Sequence, residues 1–507
     1  LDVNMIIEIC LIVLLAFLTL FYLNGQYNES YWKRRGVKFH SKNILVKVLG
    51  PFWDYVIGGR PLFEIYGDLY RQYEKEPAVA VGSFVTPSLF VHNPTNVSHV
   101  LQLDFNSFSH GGFENIEGDQ LTESIPFLNG PKWKLMRQNM TPLFTGTKLK
   151  QMYYIMDKGA QDFVNYIRND PTRQKGNAYR TLTNYCSAAI TASVFGIGTE
   201  SIFDSPFVEV ARGALEPSFS MNIKFAMVNL SPWLSKVAGV KIFSEFEDFF
   251  IEAIKQVLDS RKLENVPRHD FADLALSLQK NGIMKDVTTG IEMDPTVGLL
   301  SAQAFFFFIA GVEPSATTLF CTLIELGQNP DILKKVHKEI DEAFEKNNNT
   351  ITFDIVSDMN YLEKVLSEGM RMYPPIGFLT RKCVQDTVLP VGNIRVSKGT
   401  KITTPVFHMH RDPKYYPEPL KFDPDRFTKD GQQPLSDVFY MPFGRGGRLC
   451  IGARFARVQV KACLVHLLRH FSVKTVGYDK IKYSKEILST IFFMVNRLGV
   501  RPQLFWC

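Results

Sequence analysis

The sequence has little of what marks common metal, nucleotide and nucleic-acid sites. Its seven cysteines are odd in number and widely spaced, with no Cys-x-x-Cys pair, which argues against a zinc site or a disulfide framework and favours a reducing compartment. No Gly-x-Gly-x-x-Gly string is present, so we find no flavin or dinucleotide fingerprint. The net charge of +6 is spread without long basic runs, and nucleic-acid binding is not indicated.

A long apolar segment lies near the start of the sequence. Residues 5–23 carry one charged side chain, Glu8, and as a helix they would span roughly 28 Å, close to the hydrocarbon thickness of a bilayer. The basic residues 33–35 that follow suit the cytosolic side of a membrane. A cleaved signal peptide is less favoured, because no basic region precedes the stretch and no small-residue cleavage site follows it. We therefore expect a membrane anchor over residues 1–30 and one further domain over residues 31–507.

The rest of the chain is mostly helical by its apolar periodicity. Long helical patterns cover residues 131–166, 244–263 and 296–326, while residues 384–406 alternate as short strands between turns. We find no repeat and no low-complexity linker. The predicted fold class is mainly α with small β-sheets, preceded by a single N-terminal transmembrane helix.

The longest helical pattern contains a proline next to an acid. Glu313 and Pro314 lie in the stretch IAGVEPSATT, where the apolar pattern predicts the interior of a helix. Proline there removes a backbone hydrogen bond and costs roughly 3 kcal/mol relative to alanine. Either the helix ends at this point, or the break is useful.

One cysteine lies in a glycine-dense loop, PFGRGGRLCIG, just before the last helical pattern. Glycines let backbone N–H groups approach the sulfur of Cys450, and a helix N-terminus favours the thiolate over the thiol. Such a sulfur suits a nucleophile or an axial ligand of haem iron. The alternative is an inert cysteine in a surface loop.

The whole loop resembles a known signature. Phe443, Gly446, Arg448, Cys450 and Gly452 match Phe-x-x-Gly-x-Arg-x-Cys-x-Gly, the haem-binding pattern of the cytochromes P450. Three further motifs of that family occur in the order in which the family has them: Trp133 and Arg137 in WKLMR, Glu368 and Arg371 in EGMR, and Arg426 in PDRF. The chain therefore resembles a cytochrome P450. The stretches YWKRRGV and FGRGGRLCIGARFA are similar to the sequences of insect microsomal members that oxidise plant toxins and insecticides.

The resemblance implies a fold, a cofactor and a set of site residues. Residues 31–507 would form the catalytic domain with the cytochrome P450 fold around one haem b, and Cys450 would be the thiolate ligand of its iron. Trp133, Arg137, Arg381 and Arg448 would hold the haem propionates. Three buried charges, Glu368, Arg371 and Arg426, would lock the half of the fold that carries the Cys loop.

The resemblance also implies a reaction and partners. The reaction would be R–H + O₂ + NADPH + H⁺ → R–OH + H₂O + NADP⁺. Electrons would come from NADPH–cytochrome P450 reductase, with cytochrome b5 as a further candidate partner, because the chain carries no flavin fingerprint of its own. The catalytic domain would lie on the cytosolic side of the endoplasmic reticulum membrane. A haem-binding sensor without turnover and a peroxide isomerase are the alternative classes.

The central helix departs from the family at one position. The family has (Ala/Gly)-Gly-x-(Asp/Glu)-Thr over the haem, and here Ala310, Gly311 and Glu313 match while Pro314 replaces the threonine. One hypothesis is that Pro314 frees the carbonyl of Ala310 to hold a water, with protons arriving through Glu313, water and Ser315 or Thr318. In the other, Pro314 is a tolerated kink that leaves the enzyme poorly coupled.

The high aromatic content, 13% of the residues, predicts a lipophilic substrate held by apolar burial. At most two of the four phenylalanines 305–308 can face the haem, because successive helical residues turn by about 100°. By resemblance, the substrate-contacting residues are predicted to be Phe113, Phe127, Phe305, Phe308, Ile376, Phe378 and Phe492.

Overall fold

The computed structural model describes residues 3–56, 60–84, 86–170, 173, 177–196, 203, 213, 219–230, 232–264, 267–427, 439–475 and 503–506. These residues are mostly helical (62%) with small sheets, which confirms the predicted fold class. The helices of the N-terminal half are α1 Val3–Lys33, α2 Ile44–Leu49, α3 Pro51–Val56, α4 Leu62–Gln72, α5 Pro94–Ser98, α6 Gly130–Met140, α7 Gly146–Arg168, α8 Ala178–Phe195, α9 Phe219–Leu230, α10 Pro232–Val237 and α11 Ser244–Glu264.

The later helices are α12 Phe271–Asn281, α13 Val297–Gln328, α14 Pro330–Lys346, α15 Phe353–Asp358, α16 Asn360–Met372, α17 Val406–Met409 and α18 Ala453–His470. The pattern over residues 131–166 is divided, because a 3₁₀ turn at Thr141–Phe144 separates α6 from α7. A single π-helical turn, His99–Leu103, follows directly on α5.

The strands form small separate sheets. A four-stranded sheet has the order β1 Val79–Val81, β2 Ser88–Phe90, β8 Lys401–Thr404 and β5 Leu379–Lys382. Strands β2 and β8 are parallel and the other neighbours antiparallel. Three antiparallel pairs complete the described strands: β3 Met284–Lys285 with β4 Glu292–Met293, β6 Thr387–Leu389 with β7 Ile394–Val396, and β9 Phe471–Lys474 with β10 Gln503–Trp506.

Helix α1 leaves its apolar side chains uncovered. Its span Ile7–Lys33 is long and apolar enough to cross a membrane, with an 18-residue window of mean hydropathy 2.3 that has no buried share. Its last turns are different, because Trp32 is 1% exposed and Gly25 lies against Ile44 of α2. Helix α1 therefore runs unbroken through residue 30, and the boundary between anchor and domain at that residue stays a prediction.

Helix α13 is the central element of the core. It is also apolar and long, but most of its length is buried against α8, α11, α16 and α18. Gly311 lets α8 approach closely, since a Cβ atom there would lie 2.5 Å from Cδ1 of Ile190. Helix α13 continues through Pro314 without ending. This excludes the alternative that the helix ends at Pro314.

Candidate functional site

The Cys450 loop is held by its backbone and by close packing. The N–H of Cys450 donates to the carbonyl of Phe443 at 2.9 Å, and α18 begins three residues after the cysteine. Gly446 has φ +69°, and a Cβ atom there would lie 2.0 Å from the carbonyl oxygen of Leu101. Gly446 is therefore required for contact with the π-helical turn. It does not border the cavity described next, and its place at the cofactor stays a prediction.

A cavity of about 360 Å³ separates the Cys450 loop from α13. Its wall is almost entirely apolar apart from a few arginines. The predicted residues that line it are Phe113, Trp133, Arg137, Ala310, Pro314, Ser315, Ile376, Arg381, Phe443, Arg448, Cys450 and Gly452. Residues more than 300 positions apart in the sequence thus meet at one cavity.

The Cys450 side chain has exposed surface toward the cavity, but the protein packed around it disfavours the thiolate in the chain alone. Burial raises the pKa of the Cys450 thiol, while a hydrogen bond from the N–H of Gly452 and the charge of Arg137 lower it by less. The expectation that the helix N-terminus favours the thiolate therefore stays a prediction. Coordination to a metal ion removes a thiol proton outright. The Cys450 side chain is exposed toward the cavity that it lines, so its sulfur is accessible to a metal ion held there.

Three arginines line this cavity without an acidic partner. Burial lowers the pKa of Arg381 to about 10, and burial together with the charges of Arg381 and Arg137 lowers the pKa of Arg448 to about 9. Burial also lowers the pKa of Arg137. Within the described ranges none of the three forms a salt bridge, and the buried Nε of Arg381 has no hydrogen-bond partner.

Such a cluster of cations calls for an anionic ligand, because buried charges are ordinarily paired. A haem carries two propionates on an otherwise apolar ring, which matches both the arginines and the apolar wall. The guanidinium of Arg448 also lies 4.1 Å from the ring centre of Trp133, so the two side chains fix each other. The residues present fit a haem.

A buried charge cluster supports the loop from behind. Glu368 Oε2 accepts from Arg371 Nε at 2.6 Å, and Glu368 Oε1 lies 3.3 Å from Arg426 Nε. Arg371 also donates to the carbonyl oxygens of His410 and Pro419, both at 2.9 Å. Glu368 and Arg371 have no exposed surface. The structure therefore brings together the three charges that the motifs named, and their role as a lock stays a prediction.

The acid beside the proline does not face the cavity. Pro314, Ser315 and Thr318 line it, whereas the carboxylate of Glu313 accepts a hydrogen bond from the phenol of Tyr179 on α8. Thr318 Oγ1 donates to the carbonyl of Pro314 at 2.8 Å, so this hydroxyl is engaged within its own helix. Glu313 was predicted at the reacting centre, and the structure places it on the neighbouring face of α13.

Two of the predicted substrate residues on α13 do not line this cavity. Phe305 and Phe308 are fully buried against Phe250, with ring centres 4.8 and 6.2 Å from it. Phe306 and Phe307 line the cavity instead. The reason is helical phase: residues three and four positions before Ala310 share its face, and these are Phe307 and Phe306. Counting back from Ala310 would have identified them from the sequence.

Two further predicted substrate residues lie behind the wall. Phe127 packs its ring 6.0 Å from Phe306 and 5.7 Å from Phe113, and it does not line the cavity. Phe378 packs 5.1 Å from Tyr66 and also lies outside the lining. Both are buried core residues outside this lining, and their contact with substrate stays a prediction. Phe492 lies outside the described residues.

Sequence reasoning also missed part of the wall. Besides Phe306 and Phe307, the lining includes the apolar residues Ile125, Leu143, Phe144, Ile190, Val194 and Leu366. Ile190 and Val194 are four positions apart on α8, so they share a face. No chemical motif marks them, because any apolar side chain of suitable size fills such a wall.

Comparison with known proteins agrees with this geometry. Residues 46–494 match the family description "Cytochrome P450". The chain is 32% identical to cytochrome P450 6B2 of Helicoverpa armigera over 90% of each chain, and 32% identical to probable cytochrome P450 6a13 of Drosophila melanogaster over 96% of each. It is 33% identical to cytochrome P450 6B5 of Papilio glaucus, over 92% of this chain and 98% of that one.

The chain belongs to the cytochrome P450 family. It is accordingly an oxidoreductase of the P450 monooxygenase type, and the family implies a haem cofactor, a redox partner and a lipophilic substrate. These three relatives are insect proteins.

Proposed function

We propose that this protein inserts one oxygen atom from O₂ into a lipophilic plant toxin, insecticide or endogenous lipid, with electrons from NADPH delivered by NADPH–cytochrome P450 reductase. The observation that carries the proposal is that Cys450 and three arginines line one apolar cavity, and that none of these arginines has an acidic partner within the described ranges. Haem b bound there would have Cys450 as its thiolate ligand. Its oxygen chemistry would then be driven by thiolate electron donation, which favours O–O cleavage.

The protein's own residues position the reactants. Arg137, Arg381 and Arg448 would pair with the propionates, and Trp133 would hold Arg448 in place. The apolar side chains of Phe306 and Phe307 would bury the substrate, at roughly 25 cal/mol per Å² of apolar area, and exclude water. A neutral or weakly polar substrate follows, because the lining supplies no acidic side chain.

The cellular setting follows from α1 and the insect relatives. We place the apolar span of α1 in the endoplasmic reticulum membrane and the catalytic domain on the cytosolic side. There it would meet the reductase and cytochrome b5. Xenobiotic oxidation is favoured over a biosynthetic role by the similarity to insect relatives of the same family.

The test uses the full-length protein reconstituted with NADPH–P450 reductase, a panel of lipophilic toxins and a panel of lipid hydroperoxides. NADPH consumed, product formed and hydrogen peroxide released are measured for wild type and Pro314→Thr. Product that requires NADPH supports the proposal. Turnover of hydroperoxides without NADPH would identify a peroxide isomerase, and haem binding with no turnover of either panel would identify a sensor or carrier.

The same experiment separates the two interpretations of Pro314. If the wild type releases little peroxide, the break in the hydrogen bonds of α13 replaces the missing hydroxyl. If it releases mostly peroxide and Pro314→Thr restores product, the proline is a tolerated defect.

A further inference from the structure

A hydroxyl chain connects α8 to α13 next to Pro314. Tyr179, in the first turn of α8, donates its phenol proton to Glu313 Oε1. Thr317 Oγ1 lies 3.3 Å from the same phenol oxygen. Because the tyrosine proton is committed to the carboxylate, the threonine must be the donor in that second contact. The order of hydrogen bonds is therefore Thr317 to Tyr179 to Glu313.

The backbone of α13 dictates where these groups point. Glu313 and Thr317 are one turn apart and share a face, while Ala310, Pro314 and Thr318 share the face that lines the cavity. The ring of Tyr179 packs edge-on against Phe320, with ring centres 5.3 Å apart, and this fixes the direction of its hydroxyl. Glu313 thus meets α8 through a preformed donor.

The phenol is suited to remain a donor. Burial, and next the negative charge of Glu313, raise the pKa of Tyr179 well above its ordinary value. The position after Glu313 is a proline, which has no hydroxyl to offer. Tyr179 therefore brings to Glu313 the alcohol that position 314 lacks.

We propose that Tyr179 is a positioning residue for the monooxygenase reaction. Its hydroxyl holds Glu313 against α8 and keeps the carboxylate in proton exchange with the hydroxyls of Tyr179 and Thr317. This rests on the proposed role of Glu313 in supplying protons. The coupled reaction is R–H + O₂ + 2 e⁻ + 2 H⁺ → R–OH + H₂O. When proton supply is misplaced, O₂ + 2 e⁻ + 2 H⁺ → H₂O₂ competes, so the fraction of electrons lost as peroxide reports on this role.

The first experiment compares Tyr179→Phe, Glu313→Gln and the double variant in the reductase-coupled holoenzyme, normalised to the reduced carbon monoxide complex. Tyr179→Phe keeps the ring on Phe320 and removes only the hydroxyl. We expect it to raise the ratio of peroxide to product at least about tenfold, the effect of one hydrogen bond to a charged group. The double variant should equal Glu313→Gln alone, because the tyrosine acts through the acid.

A matched control is available on the same helix. Tyr185 is fully buried, and its hydroxyl donates to the carbonyl of Gln459 at 3.2 Å. Tyr185→Phe should leave the ratio of peroxide to product unchanged. Multiplying effects in the double variant, or equal effects of Tyr179→Phe and Tyr185→Phe, would overturn the proposal.

A second measurement does not depend on turnover. The infrared difference between wild type and Glu313→Gln in the resting ferric protein isolates the carboxylate band of Glu313. Tyr179→Phe should shift that band and Tyr185→Phe should not; an unmoved band in Tyr179→Phe would also overturn the proposal. NADPH-dependent product in the wild type tests the proposed function separately, so the two proposals can fail independently.

Discussion

The two walls of the cavity are built by different rules. The Cys-loop wall, residues 443–452 with Arg137 and Arg381, matches the family pattern at every motif position and is fixed by glycine backbone and buried charge. The α13 wall, made by the cavity-facing residues of Val297–Gln328, is aromatic and departs from the pattern at Pro314. In the first wall the chemical identity of each residue matters. In the second, position along the helix decides which residue takes part.

The largest expected effect breaks the support of the Cys-loop wall. Glu368→Gln leaves the fully buried Arg371 without its counter-charge, so we expect the free energy of unfolding to fall by about 3–5 kcal/mol. Denaturant titration of the haem-loaded protein measures it. The control is Glu342→Gln, whose partner Lys346 is exposed, and no measurable change is expected there. Equal effects of the two variants would contradict the buried charge cluster.

The next prediction tests the helical phase of the α13 wall. Phe305→Ala removes a core ring and should cost about 3–5 kcal/mol of stability while leaving the position of substrate oxidation unchanged. Phe306→Ala opens the cavity and should change substrate affinity and the product pattern. Unfolding curves and product analysis of the two variants decide the matter. Changed products from Phe305→Ala with unchanged products from Phe306→Ala would reverse the assignment.

Glycine at the Cys-loop wall gives a smaller and sharper test. Gly446→Ala forces a Cβ atom against the carbonyl of Leu101 and a strained φ, so we expect a loss of about 1–3 kcal/mol and a lower yield of haem-loaded protein. Gly452→Ala is the matched variant, because its nearest neighbour would be 3.7 Å away at Phe144. The yield of the reduced carbon monoxide complex compares them. Similar yields would show that the loop can move away from the π-helical turn.

The smallest effect concerns pH and the arginines of the Cys-loop wall. The pKa of Arg448 is about 9 without an anion, and pairing with a propionate would raise it again. Below pH 9 the Arg448 guanidinium is charged both with and without haem. Above pH 9, haem binding must take up a proton. Haem affinity should therefore fall as pH rises from 9, by up to about tenfold per pH unit.

Haem titration of the apoprotein at several pH values measures this dependence. Arg448→Met should bind haem more weakly at pH 8 and show a flatter dependence above pH 9. Arg395→Met, on the strand pair β6–β7, serves as the exposed control. A flat profile in the wild type would show that Arg448 does not meet the propionates.

Prediction from sequence was most accurate where a motif fixes chemistry. The places of Cys450, Arg448 and Trp133 at one cavity, and the contact of Glu368 with Arg371, were anticipated because each motif specifies residue types at fixed spacing. The class of fold was anticipated because apolar periodicity reports helices directly. The helix interior at Pro314 was recognised, although the continuity of α13 was not.

The predicted substrate residues that lie outside the lining share one feature. Phe305, Phe308, Phe127 and Phe378 are aromatic residues near the cavity, and nothing in their type separates a wall residue from one packed behind it. Composition supplies aromatic residues, while packing between helices decides which ring faces the cavity. Tyr179 was missed for the same reason, since it lies 134 positions from Glu313.

By itself the sequence determined the apolar first helix, the mainly helical class, the cysteine loop and the charged motifs, because these depend on residue types at short spacing. Only the tertiary structure decided that Arg137, Arg381 and Arg448 have no acidic partner within the described ranges, that Ile190 and Val194 of α8 complete the wall, and that Glu313 turns to Tyr179. The physical reason is that burial and partnership are properties of contacts between distant segments, and local patterns carry no record of them.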